Sequence, residues 1–127
     1  MKRIPLPWTT VFGYTTGMNK MFIPATPWIP AHQVKRLRAT FEMIGAQQYL
    51  SATFAYQTAN VENSPDTPVH EVGSAQTVDG MNYGTITDVS SDTGQKQLVR
   101  FGWNCQNTNA ATLIVGLAGG SVDFDDT

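Results

Sequence analysis

Few side chains in this sequence could make or break bonds: two histidines, His32 and His70, and one cysteine, Cys105. An imidazole acts as a base only with a nucleophile in hydrogen-bond reach and a third group to orient it. Cys105 with His70 is a pair that can be written down, but no Gly-x-Ser-x-Gly elbow or other nucleophile motif accompanies it. His32 stands beside Pro30 and a basic run and reads as a surface or turn residue. A single cysteine excludes an internal disulfide and a cysteine-rich metal site, and in a strand-like run it reads as a small buried hydrophobe. Asp123, Asp125 and Asp126 have the alternation that can share a hard cation, yet they lack EF-hand spacing and read as a solvated acidic tail. Gly119-Gly120 lacks the lysine and following helix of a phosphate loop. Trp8, Trp28 and Trp103 could stack on sugar rings, although Trp103 shares a strand face with Phe101 and belongs to the core. The sequence therefore assigns no catalytic residue, no cofactor and no metal ligand, and the expectation is a protein that is not an enzyme.

The elements that would position these residues read as strands. Leu37, Ala39, Phe41 and Met43 alternate with Arg36, Arg38, Thr40 and Glu42, and Leu50, Ala52, Phe54 and Tyr56 continue the pattern. Gly45-Ala46-Gln47 is expected to join these two runs as an antiparallel pair. Residues 58–68 form a loop by composition, followed by short pieces at Val69–Val72, Gln76–Val78 and Tyr83–Val89. Asp79-Gly80 suggests a tight turn, and Ser90 to Gly94 turns the chain into a strand whose Val99, Phe101, Trp103 and Cys105 share one face. Asn107-Thr108-Asn109 turns it again. Thr112–Leu117 is apolar on both faces, as a central strand is, and Ser121–Phe124 reads as a last short strand. The fold expected is all-β: a β-sandwich or jelly roll of about seven to eight short antiparallel strands with an extended N-terminal arm.

Residues 1–30 differ from the remainder. Five of the seven prolines fall here (Pro5, Pro7, Pro24, Pro27 and Pro30), and proline neither continues a helix nor sits in a central strand. The apolar content is nevertheless high, so the segment reads as an extended arm (1–30) preceding a sandwich domain (31–127) rather than as a disordered tail. Its anchors for a partner are Lys2, Arg3, Trp8, Phe12, Tyr14, Phe22 and Trp28, because preset φ angles and large aromatic side chains lower the entropic cost of docking. Gly13 and Gly17 suggest a turn inside it. Two readings stay open: the arm closes its own domain, or it docks on a neighbouring subunit.

Charge follows the same division. Only 14% of residues are charged, against roughly a quarter in ordinary soluble proteins, which lowers the desolvation cost of contact with another protein. Residues 1–41 carry six cations and no acid, and the rest carry all ten acids with Lys96 and Arg100. The segments, +6 and −8, should attract each other within a molecule or between copies. Six cations spread over some forty residues make no dense patch, so no nucleic-acid partner is expected. No apolar run reaches the roughly 18 residues of a membrane span, and Lys2-Arg3 followed by prolines does not read as a signal peptide.

Trp28-Ile29-Pro30-Ala31 leading into Arg36-Leu37-Arg38, then Gln57-Thr58-Ala59-Asn60, then Arg100-Phe101-Gly102-Trp103, give the chain a likeness of style over most of its length. It resembles the small structural proteins of tailed bacteriophage virions, in particular head decoration (cement) proteins and small tail or connector components. The resemblance implies a β-sandwich body on a capsid or tail lattice, made in the host cytoplasm and placed in the virion. Its partners would be the major capsid protein or other virion subunits, in a homo-oligomer with arms gripping neighbours. A carbohydrate-binding, lectin-like module is the alternative.

Overall fold

The computed structural model describes residues 1–13, 20–45, 50–107 and 113–127. These hold β1 (Lys2–Leu6), β2 (Thr9–Gly13), β3 (Lys20–Pro24), β4 (Ile29–Pro30), β5 (Arg36–Ile44), β6 (Leu50–Ala59), β7 (Pro65–Glu71), β8 (Gly80–Tyr83), β9 (Thr87–Asp88), the single-turn helix α1 (Ser90–Thr93), β10 (Leu98–Asn107) and β11 (Leu113–Asp125). One sheet runs β1-β11-β5-β8, with β2 also on β11 and β9 also on β5; the other runs β3-β10-β6-β7, with β4 also on β10. All pairings are antiparallel.

Three strands are interrupted rather than separate. β1 and β2 lie end to end along β11, β3 and β4 along β10, and β8 and β9 along β5. Counted that way, eight strands form two four-stranded sheets in the order 1-8-3-6 and 2-7-4-5, which is a jelly roll. The expected strands over residues 36–44, 50–57 and 98–105 are present, and residues 1–30 hold four more. Of the short pieces expected after them, Gln76–Val78 is reduced to a single bridge from Gln76 to Ala52, Tyr83–Val89 is strand only at Tyr83 and at Thr87–Asp88, and the expected loop 58–68 contains the end of β6 and the start of β7. The last strand is longer than expected: residues 113–125 are continuous, with a bulge between Ala118 and Ser121 taking up the Gly119-Gly120 break.

The expected pairing of residues 36–44 with residues 50–57 does not occur. β5 bonds to β11, β8 and β9, whereas β6 bonds to β10 and β7. Each has one apolar face, and a jelly roll buries those faces against each other across the core rather than side by side in one sheet. Gly45, at φ 78°, ends β5; Ala46 and Gln47 of the expected turn lie outside the described residues, as do Thr108 and Asn109.

Period-two alternation fixes the core. Leu37, Ala39, Phe41 and Met43 of β5, Leu50, Ala52, Phe54 and Tyr56 of β6, Val99, Phe101, Trp103 and Cys105 of β10, and Leu117, Val122 and Phe124 of β11 are all buried. Phe41 meets Trp103 edge-on at 5.9 Å, and Phe101 contacts Phe54 and Phe124 at 6.0 and 5.8 Å, geometries that suit the ring quadrupoles.

The prolines explain the strand order. All seven lie on or beside β1/β2, β3/β4 or β7, the edges of the two sheets. An edge strand tolerates a missing N–H that would face solvent, and the missing donor blocks pairing with another chain. Between β3 and β4 the ladder breaks, and the side chain of Thr26 repairs it: its Oγ1 accepts the Phe101 N–H at 3.0 Å, while Ala25 N–H donates to the Phe101 carbonyl at 2.8 Å.

Candidate functional site

His70 and Cys105 are not brought together. Cys105 is buried opposite Ala52, four positions along β6 from Tyr56, the residue opposite His70. Burial pushes its thiol up to about 12, so it holds a neutral, unreactive thiol at neutral pH. His32 is exposed on the short turn 31–33.

His70 stacks on Tyr56, with ring centroids 5.0 Å apart, and its Nδ1 lies 3.4 Å from Asp92 Oδ2 on α1. The Tyr56 hydroxyl donates to the same carboxylate oxygen. Burial first, then this carboxylate, raises the phenol well above its ordinary range, so Tyr56 stays a donor. Alongside, Asp66 Oδ2 accepts from the Thr58 hydroxyl at 2.7 Å and pairs with Lys96 at 3.0 Å. Those two hydrogen bonds hold its carboxyl below the usual value. Thr58, Asp66, His70, Asp92, Gln95 and Lys96 thus line a polar cleft of about 350 Å³. Both carboxylates are already engaged, so the cleft fastens β7 to α1 and the turn that follows; the geometry supplies ion pairing rather than an activated nucleophile.

Of the three aspartates at the acidic end, Asp126 is exposed beyond β11, but Asp123 and Asp125 are not part of a solvated tail. Asp123 is buried and accepts from Arg3 Nε at 2.7 Å and from Arg38 at 3.0 Å; Asp125 accepts from Arg36 at 2.9 and 2.7 Å. The cross-strand register makes this an alternating array. Arg3, Asp123 and Arg38 stand in one row across β1, β11 and β5, and Asp125, Arg36 and Asp88 in the next across β11, β5 and β9. The hydrogen bond from Arg3 leads in lowering the Asp123 carboxyl, and that from Arg36 holds Asp125 down to about 2. Opposite charges facing across strands stabilise the register. Among the described residues no group of His, Cys, Asp and Glu has the arrangement of a metal site; these aspartates bind arginine instead.

The residues expected to anchor a partner divide three ways. Arg3 is committed to Asp123, and Lys2 Nζ donates to Gln33 Oε1 at 3.3 Å. Phe22 and Trp28 lie on the outer face of the second sheet, where the Arg100 guanidinium sits 5.8 and 4.5 Å from their ring centroids and bonds to Gln57 Oε1. Phe12 lies in β2 opposite Ile114, and Tyr14 is outside the described residues. Trp8 alone of the three tryptophans is mostly exposed, at 60%; Trp103 is fully buried. A sugar platform needs an open ring face, and Arg100 takes one face of Trp28. Sequence reading missed the cluster of exposed apolar residues at Val78, Met81, Tyr83 and Ile86, although their spacing about Asn82 is visible in the sequence.

No protein family and no curated protein matches the sequence. Solved structures do. The chain is similar to one in the structure of the infectious bursal disease virus Gx strain (TM-score 0.60, 12% identity, 95% of this chain and 30% of that one). It is similar to one of the Gt strain (0.62, 7%, 95% and 32%) and to one in the VP2 subviral particle of that virus (0.60, 10%, 98% and 32%). The chain thus spans about a third of the length of those chains, and at such identities what it shares with them is the fold.

Proposed function

We propose that the chain is a non-enzymatic structural protein of a virion, a capsid decoration (cement) protein that binds and bridges neighbouring subunits of the major capsid protein. The observation that carries this reading is that one jelly roll takes in 95 to 98% of the chain and is similar to chains of virus particles. Jelly rolls recur in viral capsids. The charge-poor composition supports it, and so does the consumption of Arg3, Arg36, Arg38 and Lys20 in internal ion pairs. What remains outside is weakly charged surface with Trp8 projecting from the first sheet's edge. In this reading Trp8 is the contact to a neighbour, with Lys2, Phe12 and Tyr14 as further anchors along residues 1–30, and weak contacts become firm by repetition over a lattice.

Density-gradient purification of the particles, followed by mass spectrometry, tests it. The chain should co-purify with the particles. Trp8→Ala should melt like the parent yet lower its occupancy roughly tenfold or more, as loss of an exposed aromatic anchor does. Particles that lack the chain, or a Trp8→Ala variant retained like the parent, would overturn the reading.

A further inference from the structure

Three of the four sheet edges carry proline; the β8/β9 edge carries none. Four exposed apolar side chains lie on β8 or beside it in the chain: Val78 at 64%, Met81 at 37%, Tyr83 at 76% and Ile86 at 51%. The Gly84 N–H donates to the Ala39 carbonyl at 2.8 Å, and the register continues through Asn82 opposite Phe41 and Gly80 opposite Met43. In an antiparallel ladder the residues between such bonded pairs turn their N–H and C=O the other way. Those of Met81 and Tyr83 therefore point out of the sheet, and among the described residues no strand pairs with that side of β8.

The sequence at this edge is symmetric about Asn82. Met81 and Tyr83 flank it, then Gly80 and Gly84, then Asp79 and Thr85, then Val78 and Ile86. We infer that β8 is a self-association edge, pairing antiparallel with β8 of a second copy about a two-fold axis at Asn82. Met81 then exchanges both backbone hydrogen bonds with the partner's Tyr83, and Tyr83 with the partner's Met81. Each thioether lies beside an aromatic ring, and Val78 falls near the partner's Ile86. A two-fold interface must be self-complementary, and this spacing satisfies that condition. Charge agrees, since residues 80–86 carry none and Asp79 faces the partner's Thr85 instead of its own copy. The short strand buries less than the roughly 1,200 Å² of a stable interface, so the dimer is weak and concentration-dependent. This inference rests on the edge and stands apart from the virion reading.

Sedimentation velocity on the full chain over a wide concentration range, at low and high salt, reads it out. The expected result is a reversible dimer with little salt dependence. Tyr83→Pro removes an outward donor without touching the bonds to β5. A second variant, Met81→Lys with Tyr83→Lys, changes only exposed side chains and so keeps the test open should the proline variant misfold. Either folded variant should weaken association roughly tenfold or more. A chain that stays monomeric at every concentration overturns the inference, as does a dimer that survives the lysine pair.

Discussion

At the residue scale the outer face of the first sheet is governed by aspartates held by arginines. The Asp125 carboxyl is held down to about 2 from an ordinary 3.8, chiefly by hydrogen bonds from Arg36, and Asp123 is lowered chiefly by Arg3. The native state therefore releases these protons more readily than the unfolded chain. The stabilisation is fully present above the unfolded value, near 4, and is lost as pH falls towards about 2. Arg3, Arg36 and Arg38 are each 41 to 67% exposed, so solvent screens part of the effect. Thermal melts followed by circular dichroism should show Tm falling between pH about 4 and about 2. Asp125→Asn should lower Tm at neutral pH and flatten that slope, so that the two curves converge at the acid end. Parallel curves would mean that the pair contributes nothing to the acid limb.

At the element scale, the bulge in β11 leaves no room for a side chain at Gly120. A Cβ built on Gly120 would overlap the Thr40 carbonyl of β5, and the two strands are locked on both sides of it by register. Gly120→Ala should cost about 1–3 kcal/mol or more, read as a lower urea midpoint with an unchanged slope; a neutral outcome would mean that β11 can slide away from β5. Local pattern made much of this legible. The β10 face of Val99, Phe101, Trp103 and Cys105 is buried as its alternation requires. Alternation reports which face is buried but not which sheet a strand joins, and so β5 and β6 were expected as neighbours. A readable signal for the true pairing was Arg36-x-Arg38 against Asp123-x-Asp125, two like-charged steps of opposite sign that match in an antiparallel register. The contact of Tyr56 and His70 with Asp92 carries no such signature, since it joins segments only the folded topology brings together. β8 was hidden by brevity: four residues beginning at a glycine show no period.

At the scale of the whole molecule the N-terminal thirty residues decide how the domain stands. Their described strands supply one complete edge to each sheet, β1 with β2 on β11 and β3 with β4 on β10. They also bring Arg3 to Asp123, Lys20 to Glu71 and the Thr26 hydroxyl to the Phe101 N–H. Of the two readings open in the sequence, these pairings lie within the domain's own sheets, and the opposite charges of the two segments meet inside one molecule. Prolines concealed the strands because edge positions accept what central positions reject. Deleting residues 1–30 should therefore do more than remove a docking arm. It strips β10 and β11, ten and thirteen residues long, of a partner and leaves two long unpaired edges, the geometry that promotes aggregation. The truncated chain should lose its near-ultraviolet circular dichroism and cooperative melt and associate irreversibly. A truncated chain that stays monomeric and melts within a few degrees of the parent would show that the sandwich closes without these strands, and would return the segment to the role of an arm for a neighbour.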